Sequence, residues 1–211
     1  MSIREIRPSR RETPSKSEKG NNYHKHKSDL QEDFNYCCGY CGSFDGFGYT
    51  KTYFEIDHFV PKDFLIKSKS SISLSKYSNL VYSCRFCNNN KTKHWPSKRE
   101  DIYLLGNEGF IEPCDLEYEN HLYRTDDGAI MWNSPIGEWM ATTAFKFDER
   151  MDELKLLWKY NKTRIAIEKI IDELNSYPDN SEQHNNIKTK LTPLFEKHYF
   201  FQKELATFYN G

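Results

Sequence analysis

The sequence predicts an α+β chain in which two short strands and a helix gather around a four-cysteine staple, followed by a hairpin and two long helices. Three observations predict it. Cys38-Gly-Tyr-Cys41 and Cys84-Arg-Phe-Cys87 repeat one internal spacing. Short runs of β-branched and aromatic residues end beside these pairs, and beyond about Asp148 apolar residues recur at helical spacing. At 211 residues the chain is long enough for one sizeable core or a smaller module with an accessory region.

Residues 1–29 carry eight bases against four acids and few large apolar side chains, a composition that predicts a flexible basic arm. His24 and His26 alternate with Lys25 and Lys27 there and read as exposed polar chain. Residues 30–100 form the second unit. Each Cys-x-x-Cys pair turns two thiolates onto one centre, and two pairs complete the tetrahedral four-sulfur shell that structural Zn²⁺ prefers. The N-terminus lacks the apolar run of a secretory signal, which predicts a cytoplasmic chain whose thiols stay reduced and available to metal. Cys37 adjoins the first pair and is an alternative ligand with poorer spacing than Cys38, whereas Cys114 reads as a small buried residue.

The interval between the pairs, residues 42–83, leaves room for an inserted working element, and it holds the dipeptide Asp57-His58. Lys51 to Ile56 has the composition of a short strand ending at that dipeptide, and Pro61 stops further pairing. The Ser- and Lys-rich stretch from Lys67 to Ser75 predicts a loop, and Asn79-Leu-Val-Tyr-Ser a second extended piece. Residues 84–94 predict a helix bearing Arg85, Asn88, Lys91 and Thr92, ended by Trp95-Pro96.

Residues 101–211 form an accessory region. Asp126-Asp127-Gly128 between His121-Leu-Tyr and Ala129-Ile-Met-Trp132 predicts a tight hairpin. Met151, Leu154, Leu157, Trp158, Ile165, Ile167, Ile170, Ile171 and Leu174 mark one long helix, stopped by Pro178. Ile187, Leu191, Leu194, Phe195, Leu205 and Phe208 mark a second, bent at Pro193 and packed antiparallel on the first. No run of apolar residues is long enough to span a bilayer.

The formal charge of −1 conceals an asymmetry, because residues 62–99 hold nine Lys or Arg against the single acid Asp63. A positive strip of this kind suits a polyanion whose phosphates exchange counterions for ammonium and guanidinium groups. Asp57 and His58 lie beside it. A neutral imidazole can accept a proton near pH 7, and the carboxylate of Asp57 suits a hard cation such as Mg²⁺ or Mn²⁺. Phosphodiester hydrolysis requires such a base and such a cation. Lys91 and Arg85 would hold phosphates from the same helix, with Lys91 sharing the face of Asn88. His94 is a weaker substrate contact.

Glu55-Ile-Asp57-His58-Phe-Val-Pro61, followed by Asn79-Leu-Val-Tyr-Ser-Cys84-Arg-Phe-Cys87-Asn88-Asn-Asn-Lys91-Thr92, resembles the HNH endonuclease family. The resemblance covers about residues 35–95 and departs from the family in the long Lys67–Ser75 loop. It implies a ββα-metal fold in a zinc-bound variant, with His58 as general base, Asn79 as a loop brace and, at the catalytic cation, Asp57 with Asn88, whose amide oxygen suits Mg²⁺ or Mn²⁺; Asn89 or Asn90 would replace Asn88 as ligand if the helix began later. It further implies a nucleic-acid substrate, DNA ahead of RNA. Phe110-Ile-Glu-Pro-Cys114, His121-Leu, Asp127-Gly128-Ala-Ile and the long helix resemble the tail of HNH effectors that work with ATPases in Septu-type anti-phage systems. That resemblance implies an ATPase partner on the C-terminal half and a role in defence. The alternative is a zinc-stapled module that holds nucleic acid on its basic strip without cutting it.

Overall fold

The computed structural model describes residues 1–46, 54–91 and 94–210. Residues 51–53 of the expected first strand and Thr92 of the expected helix lie outside these. A 3₁₀ turn at Tyr23–His26 leads into α1 (Lys27–Asp33). Strand β1 (Phe54–His58) pairs antiparallel with β2 (Leu80–Cys84), in a register running from Phe54 opposite Cys84 to His58 opposite Leu80. Between them lies α2 (Lys62–Lys67), a helix the sequence reading did not anticipate. Pro61 sits at its N-cap, where a missing N–H costs no hydrogen bond, and Leu65 anchors it in the core. Helix α3 (Arg85–Lys91) follows β2 directly and packs on both strands.

The remainder begins with a two-residue ladder of β3 (Leu104–Leu105) on β4 (Glu108–Gly109), then α4 (Tyr118–His121). Strands β5 (Leu122–Arg124) and β6 (Ile130–Trp132) pair antiparallel around a turn at Gly128. That glycine has φ +95°, and a Cβ there would lie 2.7 Å from Cδ1 of Trp158, so both backbone and packing require the absence of a side chain. Helix α5 (Pro135–Glu138) starts on a Ser134 cap and runs into a π-helical turn at Trp139–Ala144. Helices α6 (Met151–Leu174) and α7 (Glu182–Asn210) lie antiparallel, since Tyr209 at the end of α7 donates to Glu153 at the start of α6 at 2.6 Å. Helix α7 is continuous through Pro193. Ile187, Leu191, Leu205 and Tyr209 form its buried face, whereas Phe195 and Phe208, read as part of that face, are exposed. Among the described residues no helix is long and apolar enough to cross a membrane.

Residues 1–29 are not the flexible arm that their composition suggests. Ile3 is fully buried, and Arg4 donates to the carbonyls of Gly39 and Pro113 at 2.8 and 2.7 Å. Arg10 bonds the Leu80 carbonyl at 2.8 Å and Glu112 at 2.6 Å, while Arg11 pairs with Asp33 at 2.8 Å and Asp29 at 3.1 Å. These guanidiniums fasten the segment to partners remote in sequence, so their charge is spent inside the protein. The buried Arg124 completes this fastening through the carbonyls of Ile3 (3.0 Å), Cys41 (2.5 Å) and Gly128, with its guanidinium 4.6 Å from the Trp158 ring centroid. One continuous core therefore runs from Ile3 and Phe34 through the cysteines and both β1 and β2 to Phe145 and Leu154.

Candidate functional site

The Sγ atoms of Cys38, Cys41, Cys84 and Cys87 all lie within 4.8 Å of one another, and all four residues are buried. Four sulfurs each about 2.3 Å from a tetrahedral ion would stand about 3.8 Å apart. Cys41 and Cys84 are separated by 3.8 Å. The donor set and its spacing thus fit one structural metal ion. Four thiolates around a divalent ion leave a net negative charge, and the buried Arg150 places Nη1 3.6 Å from Cys84 Sγ while its Nε pairs with Glu153 at 2.8 Å. Burial pushes the Arg150 pKa down, but the thiols of Cys84 and Cys41 outweigh it and hold it above the ordinary value. Cys37 lies outside the cluster, its backbone bridged to Phe44, and Cys114 stands apart as well.

A pocket of about 180 Å³ opens beside this centre, lined by Tyr23, Ile56, Asp57, His58, Pro61, Lys62, Asp63 and Asn88. Strand β1 ends at His58, and both Asp57 and His58 reach the pocket there despite their adjacency. His58 Nε2 lies 2.9 Å from the Leu74 carbonyl. A carbonyl only accepts, so Nε2 carries the hydrogen and the lone pair of the neutral ring sits on Nδ1. Burial pushes the His58 pKa below the ordinary histidine value; the Leu74 carbonyl and Asp57 pull it up, and Lys62 and Lys91 add to the lowering. The imidazole is therefore neutral at pH 7.

Asp57 is buried, and its Oδ2 accepts from the Tyr40 hydroxyl at 2.5 Å and pairs with Lys91 Nζ at 3.0 Å. Asp57 also lines the pocket. Lys91, expected to hold a phosphate, does not line the pocket. It is fully buried, and its ammonium donates to the carbonyls of His58 (2.9 Å) and Phe59 (2.8 Å) besides Asp57. The lysine shares a helix face with Asn88, but at its depth that face meets β1 rather than water. Burial lowers the Lys91 pKa while Asp57 opposes the shift. Lys91→Met should leave Asp57 and two carbonyls uncompensated and destabilise the fold by about 3–5 kcal/mol, measured by urea unfolding. A loss below about 1 kcal/mol would show that the ammonium is not the internal brace.

Asn79 brings its amide onto both backbone groups of Val60, Oδ1 accepting from the N–H at 2.8 Å and Nδ2 donating to the carbonyl at 3.2 Å. Asn88 donates from Nδ2 to Glu55 Oε2 at 2.8 Å, which leaves its amide oxygen as a possible metal donor beside Asp57. Arg85 is exposed, with Nε 3.9 Å from Glu55 Oε1. His94 instead sets its ring edge-on to Trp139 at 5.8 Å, and Asn90 turns its amide back to the Phe86 carbonyl at 3.1 Å.

Three contributors escaped the sequence reading. Glu55 shares a strand face with Asp57 by two-residue alternation, a signal that was available. Tyr40 lies within the first cysteine pair and carried no sign that its hydroxyl reaches Asp57. Tyr23, with its ring edge-on to His58 at 4.5 Å, comes from the segment expected to be a flexible basic arm.

The family model described as HNH endonuclease matches residues 38–94, the stretch that contains both cysteine pairs, Asp57, His58 and Asn88. No curated protein and no solved structure matches the chain.

Proposed function

We propose that the chain is a metal-dependent HNH endonuclease that hydrolyses phosphodiester bonds of nucleic acid, DNA ahead of RNA. One observation carries the reading: a neutral imidazole with its lone pair on Nδ1 lines the same pocket as Asp57 and Asn88, inside the matched stretch. His58 Nδ1 takes the proton of the attacking water. The remaining oxygen of Asp57 and the amide oxygen of Asn88 would hold Mg²⁺ or Mn²⁺, which when bound stabilises charge on the phosphoryl and leaving oxygens. Asn79 and Lys91 act from behind, fixing the loop and the strand end that present His58. Arg85 is exposed on α3 and takes the phosphate-binding role once shared with Lys91. The four cysteines hold Zn²⁺, and the succession of β1, β2 and α3 supports a ββα-metal core.

An ATPase partner and a role in anti-phage defence rest on the resemblance of the C-terminal half, and the exposed Phe195, Tyr199, Phe200 and Phe208 of α7 supply apolar surface for such a partner. Incubation with supercoiled plasmid, and in parallel with single-stranded RNA, tests the hydrolytic reading. Breakage that requires Mg²⁺ or Mn²⁺ and stops with a chelator is expected. Binding without breakage under every divalent ion would favour the zinc-stapled binding module.

A further inference from the structure

The contact that orients His58 belongs to a loop with an unusual anchor. Residues 73–77 present the Leu74 carbonyl to Nε2, and this loop is tied to the N-terminal segment, more than fifty positions away. Glu18 Oε1 accepts from the Tyr77 N–H at 2.6 Å, and its other oxygen pairs with Lys76 at 3.2 Å. Ser73 Oγ donates to the carbonyls of Glu18 and Gly20 at 3.2 and 3.3 Å. Tyr77 is held from below, its hydroxyl donating to Asp33 at 2.7 Å and its ring packed against His26 at 5.4 Å. The same segment then continues to Tyr23, whose ring touches the imidazole. Two contacts of the His58 ring thus depend on residues 18–26, Tyr23 directly and the Leu74 carbonyl through the strapped loop.

We infer that Glu18 is a positioning residue for His58: by strapping the 73–77 loop it fixes the Leu74 carbonyl, and through it the tautomer and angle of the base. The inference rests on the hydrolytic reading of His58 given above. A base fixed by an outer hydrogen bond keeps its lone pair aimed at the water, and a shift of about 1 Å at such a group can cost about a hundredfold in rate. Burial raises the Glu18 pKa, but the Tyr77 N–H and Lys76 outweigh it and keep the carboxyl below its ordinary range, so it is ionised at neutral pH.

Glu18→Ala removes the acceptor for Tyr77, whereas Glu18→Gln keeps an oxygen there. With supercoiled plasmid and Mg²⁺, the alanine variant should lose about 10- to 100-fold in kcat with KM within about twofold, and the glutamine variant should recover most of it. Nitrogen-15 spectra of the imidazoles provide a readout independent of turnover. His58 should show a single Nε2–H tautomer in the wild type and both tautomers in Glu18→Ala. Should Glu18→Ala not fold, Ser73→Ala, which loses the bonds to Glu18 and Gly20, is expected to show the same mixture. An alanine variant with unchanged kcat and a single Nε2–H tautomer overturns the inference. A wild-type protein that cuts nothing counts against the hydrolytic reading alone, and the tautomer comparison still decides whether the strap exists.

Discussion

Replacement of His58 by alanine should lower plasmid cleavage by at least about a hundredfold, the lower end of what a positioned general base contributes. Metal content and folding should stay close to wild type. His58 is not among the four cysteines of the cluster, and among the described residues the loss includes the bond to the Leu74 carbonyl and the edge contact with Tyr23. The pH profile tests the same group in the intact protein. His58 acts only when neutral, and burial places its pKa below the ordinary histidine value. The rate should therefore hold steady as pH falls through that ordinary range and drop only further into acid, where the ring protonates. Single-turnover nicking at saturating Mg²⁺ measures both effects. Wild-type turnover in His58→Ala would remove the imidazole from the chemistry, and a decline beginning above the ordinary histidine value would contradict its buried, neutral state.

The cysteine centre was legible because metal geometry writes itself into local spacing: two thiols three positions apart can face one ion whatever the rest of the chain does. Asp57 and His58 were legible for a related reason, since a strand ending between two turn signals frees neighbouring side chains from strict alternation. Lys91 was misread because helical periodicity gives the direction of a side chain and not its depth. It lies on the face shared with Asn88, yet that face near its end meets the carbonyls of His58 and Phe59. The N-terminal segment was misread for a different reason. Its composition is that of a solvated tail, but Arg4, Arg10 and Arg11 each find carbonyl or carboxylate partners that only the assembled fold brings near. Tyr40 and Tyr23 belong to the same class of contact. Pairing across such distances leaves no periodic trace in the sequence, and it is how Tyr23 comes to line the pocket.

Cys84→Ser should release the structural metal and with it the geometry of the pocket. Cys84 closes β2 opposite Phe54 and immediately precedes α3, so an ion held there would join the strand pair to the helix that bears Asn88. An alcohol is a far weaker ligand than a thiolate, and structural Zn²⁺ in small domains is worth about 10–16 kcal/mol, as much as the whole stability of an ordinary domain at about 5–15 kcal/mol. Three remaining thiolates cannot replace that term. Arg150, now 3.6 Å from Cys84 Sγ, would also face less negative charge and become an inadequately paired buried cation. Zinc measured by elemental analysis should fall from one ion per chain to a small fraction, thermal unfolding should shift down by more than about 10 °C, and cleavage should disappear as a consequence. His58→Ala and Cys84→Ser would then both be inactive, but only the second would lose metal, which separates the base from the scaffold. Cys37→Ser provides the control, because its thiol stands outside the cluster and its loss should leave zinc content unchanged. A folded, zinc-replete Cys84→Ser protein, or zinc loss from Cys37→Ser, would move the shell to a different set of sulfurs and detach the pocket from the four-cysteine centre.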